Sequence, residues 1–226
     1  MAITLNGNGT ITGINVGGLP NGIVDTDTLA NNAVTSAKST INPGEKVWLA
    51  KRDDGVSGHV QYANNVQVFN MTSYLSTYDK FFIDLNFTST NSSGSLHLYF
   101  KFHNPSNNEM DIRYVSEGYS SNNSQAVPHT GTGDYFRPSF AIQAGTSASF
   151  QFYIENSRNS SDNAWNAHIT GQAAWYRESA GVSAANFSAM AQSESQFGYF
   201  LVDADAHSGS GTHGKMLANL YGITQR

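Results

Sequence analysis

From residue 45 onward the chain repeats with a period of two, and that period restricts its fold more than any other feature. Phe81, Ile83, Leu85 and Phe87 share one side of an extended segment. Leu96, Leu98, Phe100 and Phe102 do the same, with His97, Tyr99, Lys101 and His103 opposite, and Phe150, Phe152 and Ile154 alternate with Gln151, Tyr153 and Glu155. Successive side chains of a strand point to opposite faces, so each run has an apolar face to be covered and a polar face for water. Further strand-like runs are Val47–Leu49, His59–Phe69, Ile112–Val115, Phe140–Gln143, His168–Tyr176, Val182–Ala191, Gly198–Asp203 and Met216–Ile223. Clusters of Ser, Asn and Gly separate them, at Thr90–Ser95, Ser120–Ser124, Asn156–Asn163 and Ser208–Thr212. Many short strands with turn signals between them, and no amphipathic helix of ten residues, predict an all-β fold: an antiparallel β-sandwich, jelly-roll-like by its number of strands.

Residues 1–44 are different. They contain no aromatic residue, whereas Trp48, Tyr62, Phe69, Tyr74 and Tyr78 follow closely. Folded cores draw heavily on aromatic and large aliphatic side chains, so this stretch cannot build a core alone. Glycines punctuate short β-like runs at Ile3–Leu5 and Thr10–Ile14. Asp25-Thr26-Asp27-Thr28 then offers helix-capping residues before Leu29, Ala30, Ala33, Val34 and Ala37, and Pro43-Gly44 closes the segment. A helix so short and small-faced is marginal in isolation. Two parts are expected: an extended, partly helical N-terminal segment over 1–44 that orders against copies of itself or another protein, and a β-sandwich over 45–226.

Composition removes several classes of function. Charged residues make up 13% of the chain, about half the usual ~25%, and 27 Ser, 23 Asn and 17 Thr take their place. The surface is therefore wetted by neutral amides and hydroxyls. A net charge of −5 with scattered basic residues gives no electrostatic footprint for nucleic acid. The absence of cysteine excludes disulfides, thiol nucleophiles and Cys-based zinc sites. No apolar run approaches the ~20 residues of a membrane-spanning helix. The opening Met1-Ala2-Ile3-Thr4-Leu5 has neither a basic nor an apolar leader region, so cytoplasmic synthesis without a signal peptide is expected.

The chemical motifs are few. Gly209-Ser210-Gly211-Thr212-His213-Gly214-Lys215 has phosphate-loop spacing, but Met216 stands where the Mg²⁺-binding Ser or Thr belongs, and only a final strand follows. Asp203, Asp205 and His207, spaced by two, share a face if extended; they form either a divalent-metal ladder or a polar strand end. No Gly-x-Ser-x-Gly elbow or His-Glu-x-x-His pair occurs, and no cofactor or enzymatic activity is expected. Tyr119, Tyr135 with Phe136, and Trp165 lie in or beside segments rich in Asn, Ser and Gly. There an aromatic ring could lie under a sugar ring while amides bond its hydroxyls, or the rings could simply seal the sandwich ends.

The stretch Ile3-Thr4-Leu5-Asn6-Gly7-Asn8-Gly9-Thr10-Ile11-Thr12-Gly13-Ile14, continuing through Val16-Gly17-Gly18-Leu19-Pro20 to Val34-Thr35-Ser36-Ala37-Lys38, resembles the leader of fibre and other structural proteins of tailed bacteriophages, those of aquatic phages above all. Leu220-Tyr221-Gly222-Ile223 is similar to the closing strand of such phage β-sandwich domains. The resemblance implies a non-enzymatic homotrimer on the virion exterior. Its N-terminus would engage tail or capsid proteins through Leu5, Ile11, Ile14, Leu29, Ala33, Val34 and Ala37. Its C-terminal sandwich would bind host-surface polysaccharide as a tail fibre. Alternatively, residues 1–44 would clamp or decorate the capsid shell, as in a cement or head-fibre protein.

Overall fold

The structure, a computed structural model of the 226-residue chain, describes residues 4–5, 11–12, 45–53, 60–61, 66–90, 94–120, 129–138, 142–158, 165–177, 181–191, 195–206 and 212–223. The chain separates into two compact units, Met1–Asn42 and Pro43–Arg226. In the first, β1 (Thr4–Leu5) and β2 (Ile11–Thr12) pair antiparallel, with Leu5 opposite Ile11. Ile14, Leu29, Ala33, Val34 and Ala37 lie outside the described residues.

The second unit is built from strands. In chain order these are β3 (Lys46–Asp53), β4 (Val60–Gln61), β5 (Val66–Asn70), β6 (Lys80–Ser89), β7 (Ser95–His103), β8 (Ile112–Ser120), β9 (His129–Gly133) and β10 (Tyr135–Phe136). Then come β11 (Ile142–Gln143), β12 (Ser147–Arg158), β13 (Trp165–Arg177), β14 (Gly181–Ala191), β15 (Tyr199–Ala206) and β16 (Thr212–Ile223). The only helical element among the described residues is the 3₁₀ turn Thr72–Tyr74, so no described helix is long and apolar enough to cross a membrane.

Among the described residues of this unit all pairings are antiparallel, in two sheets. The larger has nine strands in the order β3-β16-β6-β12-β13-β14-β8-β9, with β4 beside β3 along β16. The smaller has five, β10-β7-β15-β5, with β11 beside β10 along β7. Among the described strands of this unit, only β8-β9 and the meander β12-β13-β14 join sequence neighbours within a sheet; from β5 to β8 each successive strand changes sheet. This is an antiparallel β-sandwich, and the alternating runs are what make it one. β7 is buried at every second residue, Leu96, Leu98, Phe100 and Phe102 being fully covered. Across the interior, Phe81, Ile83, Leu85 and Phe87 of β6 and Phe150, Phe152 and Ile154 of β12 are equally covered.

Phenylalanine fills the space between the sheets. The Phe100 ring lies 5.1–5.5 Å from Phe136, Phe150, Phe152 and Phe200, two of its neighbours from each sheet. Most of these pairs are tilted or edge-to-face, the arrangement that ring quadrupoles favour. Where the rings are largest, the facing backbone is bare. Gly171 in β13 sits beneath Phe152 and Phe187, and a methyl group there would overlap Phe152 Cβ and come within 2.6 Å of the Gln151 carbonyl oxygen. Gly171→Ala is therefore expected to lower the urea midpoint, at a cost of about 1–3 kcal/mol from overpacking. The same substitution at Gly133, where nothing lies within 4 Å of the added carbon, should be far milder.

Three segments depart from the period-two reading. The run His59–Phe69 is not one strand: Val60–Gln61 pair with β16 in the large sheet, and Val66–Asn70 pair with β15 in the small one. Asn156–Arg158, expected as loop, continue β12 opposite Trp165–Ala167. The reason lies at Asn156, which is fully buried. Its Oδ1 accepts from the Phe197 N–H at 2.9 Å, its Nδ2 donates to the Phe197 carbonyl at 3.1 Å, and its own N–H donates to the Asp79 carbonyl at 2.6 Å. A residue type that usually marks turns here fastens the large sheet to the segment leading into β15. Lastly, Tyr119, Tyr135, Phe136 and Trp165, expected in or beside segments rich in Asn, Ser and Gly, all belong to strands, β8, β10 and β13.

Candidate functional site

The residues singled out from the sequence do not converge. Tyr119 pairs with Ala184, and Trp165 pairs with Arg158. The side chains of Tyr119, Trp165 and Asp205, and the whole of His207, lie outside the described part of the structure. Asp203 sits opposite Tyr99, and its Oδ1 accepts from the Ala204 N–H at 2.8 Å. Among the described residues no three His, Asp or Glu side chains gather as a metal site would require.

Tyr135 is the candidate whose surroundings are visible. β10 holds it against the outer face of the small sheet, 40% exposed, edge-on to Tyr99 at 4.7 Å. Phe136, one residue on, turns inward and is fully buried. Charges ring this patch: Lys101 pairs with Asp134 at 3.5 Å, and Arg137 lies 3.4 Å from His97 Nδ1. Burial pushes the neighbouring Tyr114 phenol above its usual value; Arg137 pulls the other way and Tyr135 adds to the rise. The neutral phenol is thus the form the fold accepts, so its contribution to stability holds below pH ~10 and is lost as pH climbs through the raised value.

The outer face of the large sheet is organised quite differently. Because residues opposite one another across adjacent strands share a face, register alone sorts this surface into transverse rows. The first row is mostly ionisable: Lys46, Ile223, Lys80, Glu155, His168, Met190 and Arg113 follow one another by successive pairings. Within it Glu155 accepts from Lys80 at 3.2 Å and lies 3.6 Å from His168. The next row begins with four aromatics, Trp48, Tyr221, Phe82 and Tyr153, and continues as Thr170, Ser188 and Val115. The Phe82 ring lies 5.0 Å from Tyr153 and 5.9 Å from Tyr221, and the Lys46 ammonium caps it at 3.2 Å. Trp48 is 58% exposed and Tyr153 37%.

The third row is made of amides and carboxylates, with the ammonium of Lys51 at one end. Lys51, Asn219, Asp84, Gln151, Gln172, Asn186 and Glu117 are joined by unbroken pairings through seven strands. No hydrogen bond to another described protein group engages the side-chain amides of Gln151, Gln172 or Asn186. Two shallow depressions of about 350 and 340 Å³ meet at these three side chains. One is bounded by Lys46, Phe82, Tyr153 and Thr170; the other has Ala174 and Ala184 for its floor, side chains too small to fill it. Exposed rings beside hydroxyls and unengaged amides are the functional groups that hold a polyhydroxylated ligand: ring faces cover C–H surfaces, and amides donate and accept. None of these residues was singled out from the sequence except as members of alternating strands. The signal that could have found them, the matching of their positions across seven strands, exists only once register is known.

Compared with family models, with curated proteins and with solved structures, the chain finds no match. Its class is therefore defined by its own fold and surface: an antiparallel β-sandwich with a broad aromatic-and-amide sheet face.

Proposed function

We propose that this chain is a non-enzymatic structural protein of a tailed-phage virion, a homotrimeric fibre whose N-terminal segment docks on the particle and whose β-sandwich binds host-surface glycan. The observation that carries the glycan part is the outer face of the nine-stranded sheet, where exposed aromatics run beside unengaged amides over shallow depressions. The docking part is supported by the resemblance of residues 3–38 to phage leaders and by the separation of the chain at Asn42 and Pro43. Three copies on a fibre would raise weak single-site glycan affinity by ~10²–10⁴ through avidity.

Removing residues 1–42 tests both halves. The remaining protein is expected to stay soluble and β-rich by circular dichroism, to lose its threefold mass in sedimentation, and to bind glycan more weakly. It should no longer co-sediment with particles that lack their own copy. A truncated protein that still attaches to particles would sink the docking role. Imaging of intact virions should show few copies at the tail; a dense array on the capsid would make this a decoration protein.

A further inference from the structure

We propose that the outer face of the nine-stranded sheet takes a linear, uncharged polysaccharide laid across the strands, along the row Asn219, Asp84, Gln151, Gln172 and Asn186, with Trp48, Tyr221 and Tyr153 as its ring-stacking shelf. The proposal rests on the glycan-binding reading and narrows it to one face, one chain direction and one charge class.

Direction follows from the pattern of chemistry. Along β12 and β13, same-face residues come about every 7 Å and change character at each step, from ionisable to aromatic or hydroxyl to amide to small. In β12 that sequence is Glu155, Tyr153, Gln151 and Ser149; in β13 it is His168, Thr170, Gln172 and Ala174. Across the strands the character persists, with one amide or carboxylate every ~4.8 Å over about 24 Å from Asn219 to Glu117. A polymer repeating one hydroxylated ring meets the same partner again and again only if it runs crosswise. The two ends of the row, Lys51 and Glu117, are both exposed.

Charge class follows from what flanks the amides. Gln151, Gln172 and Asn186 are bordered by Asp84 on one side and Glu117 on the other. A polyanion would set its carboxylates or sulfates against these two. Three cations beside the row are committed elsewhere, Lys46 on the Phe82 ring, Lys80 to Glu155 and Lys51 to Asp53. Like charges brought together without a counter-charge oppose binding, whereas hydroxyl groups match amides that both donate and accept.

Affinity electrophoresis of the full chain through gels containing neutral linear polymers (dextran, galactomannan, mixed-linkage β-glucan) or polyanions (alginate, polygalacturonate) tests this. Retardation is expected in at least one neutral gel and in neither polyanion gel. Oligosaccharides of the retarding polymer should bind more tightly as they lengthen toward the span of the row. The exposed pair Gln172→Ala with Asn186→Ala, and separately Trp48→Ala, should each weaken binding about tenfold at an unchanged melting temperature. Gln67→Ala, an exposed amide of the small sheet, should bind as the parent does. Retardation by polyanions alone overturns the inference and leaves the glycan reading standing. So does loss of binding in Tyr135→Ala with the amide pair unaffected. Failure in every gel overturns both. If the amide variants change oligomeric state while binding persists, the face is an interface between copies and the inference is wrong.

Discussion

Phe100→Ala is expected to destabilise the sandwich by about 3–5 kcal/mol, more than any other single truncation of β7. The ring is fully buried and touches Phe136 and Phe200 from its own sheet and Phe150 and Phe152 from the other. Its removal deletes transfer energy and leaves a cavity whose walls are other rings, held on strands that cannot close over it. For a domain of this size the melting temperature should drop by roughly 2–4 °C per kcal/mol. Urea unfolding should show a lower midpoint at an unchanged slope, since the surface exposed on unfolding stays the same. Phe100→Leu keeps most of the volume and should cost considerably less. If Phe100→Ala unfolded no more readily than Thr170→Ala on the outer face, the two sheets would not share the core described above.

The second large effect belongs to a polar residue. Asn156→Ala should cost about 2–5 kcal/mol, because it strips the partners from two buried backbone groups, the N–H and the carbonyl of Phe197, at 1–3 kcal/mol each with some relaxation. Phe197 is itself fully buried, so water cannot replace the amide. Amide exchange should locate the damage, with Phe197 and Gly198 losing protection well before the centre of β12. Asn156→Asp sharpens the test. The carboxylate keeps the acceptor for the Phe197 N–H but presents a buried charge where a donor was needed, so its folded pKa is raised above the ordinary ~3.9. The protonated form supplies an O–H to the Phe197 carbonyl. Stability of this variant should therefore be best below pH ~4 and should fall as pH rises through the raised value, the reverse of an ordinary paired aspartate. A variant indifferent to pH would mean the side chain points to water.

Much of the architecture was legible because burial on a two-residue period leaves a trace in the order of residues. Leu96, Leu98, Phe100 and Phe102 announced an inward face, and so did Phe81 through Phe87; both proved buried at those positions. Turn composition was a poorer guide. Asn156-Ser157-Arg158 look like loop by residue type yet continue a strand, because a buried amide satisfied by Phe197 outweighs intrinsic turn preference. Tyr119 and Trp165 lie beside Ser and Asn yet pair within strands, since those neighbours carry no information about where pairing stops.

Sequence by itself determined the kind of structure: strands in two covered layers, an opening segment without aromatic residues, and a composition rich in neutral amides and hydroxyls in place of ions. Those properties depend on each residue and its near neighbours. Only the tertiary structure decided which strands are adjacent, and with it that Trp48, Tyr221, Phe82 and Tyr153 form one aromatic row and that Asn219, Asp84, Gln151, Gln172 and Asn186 form one polar row. Alternation says which side of a strand faces water but nothing of its partner or register. A one-residue slip between two strands would leave every local preference satisfied along each of them and dismantle both rows.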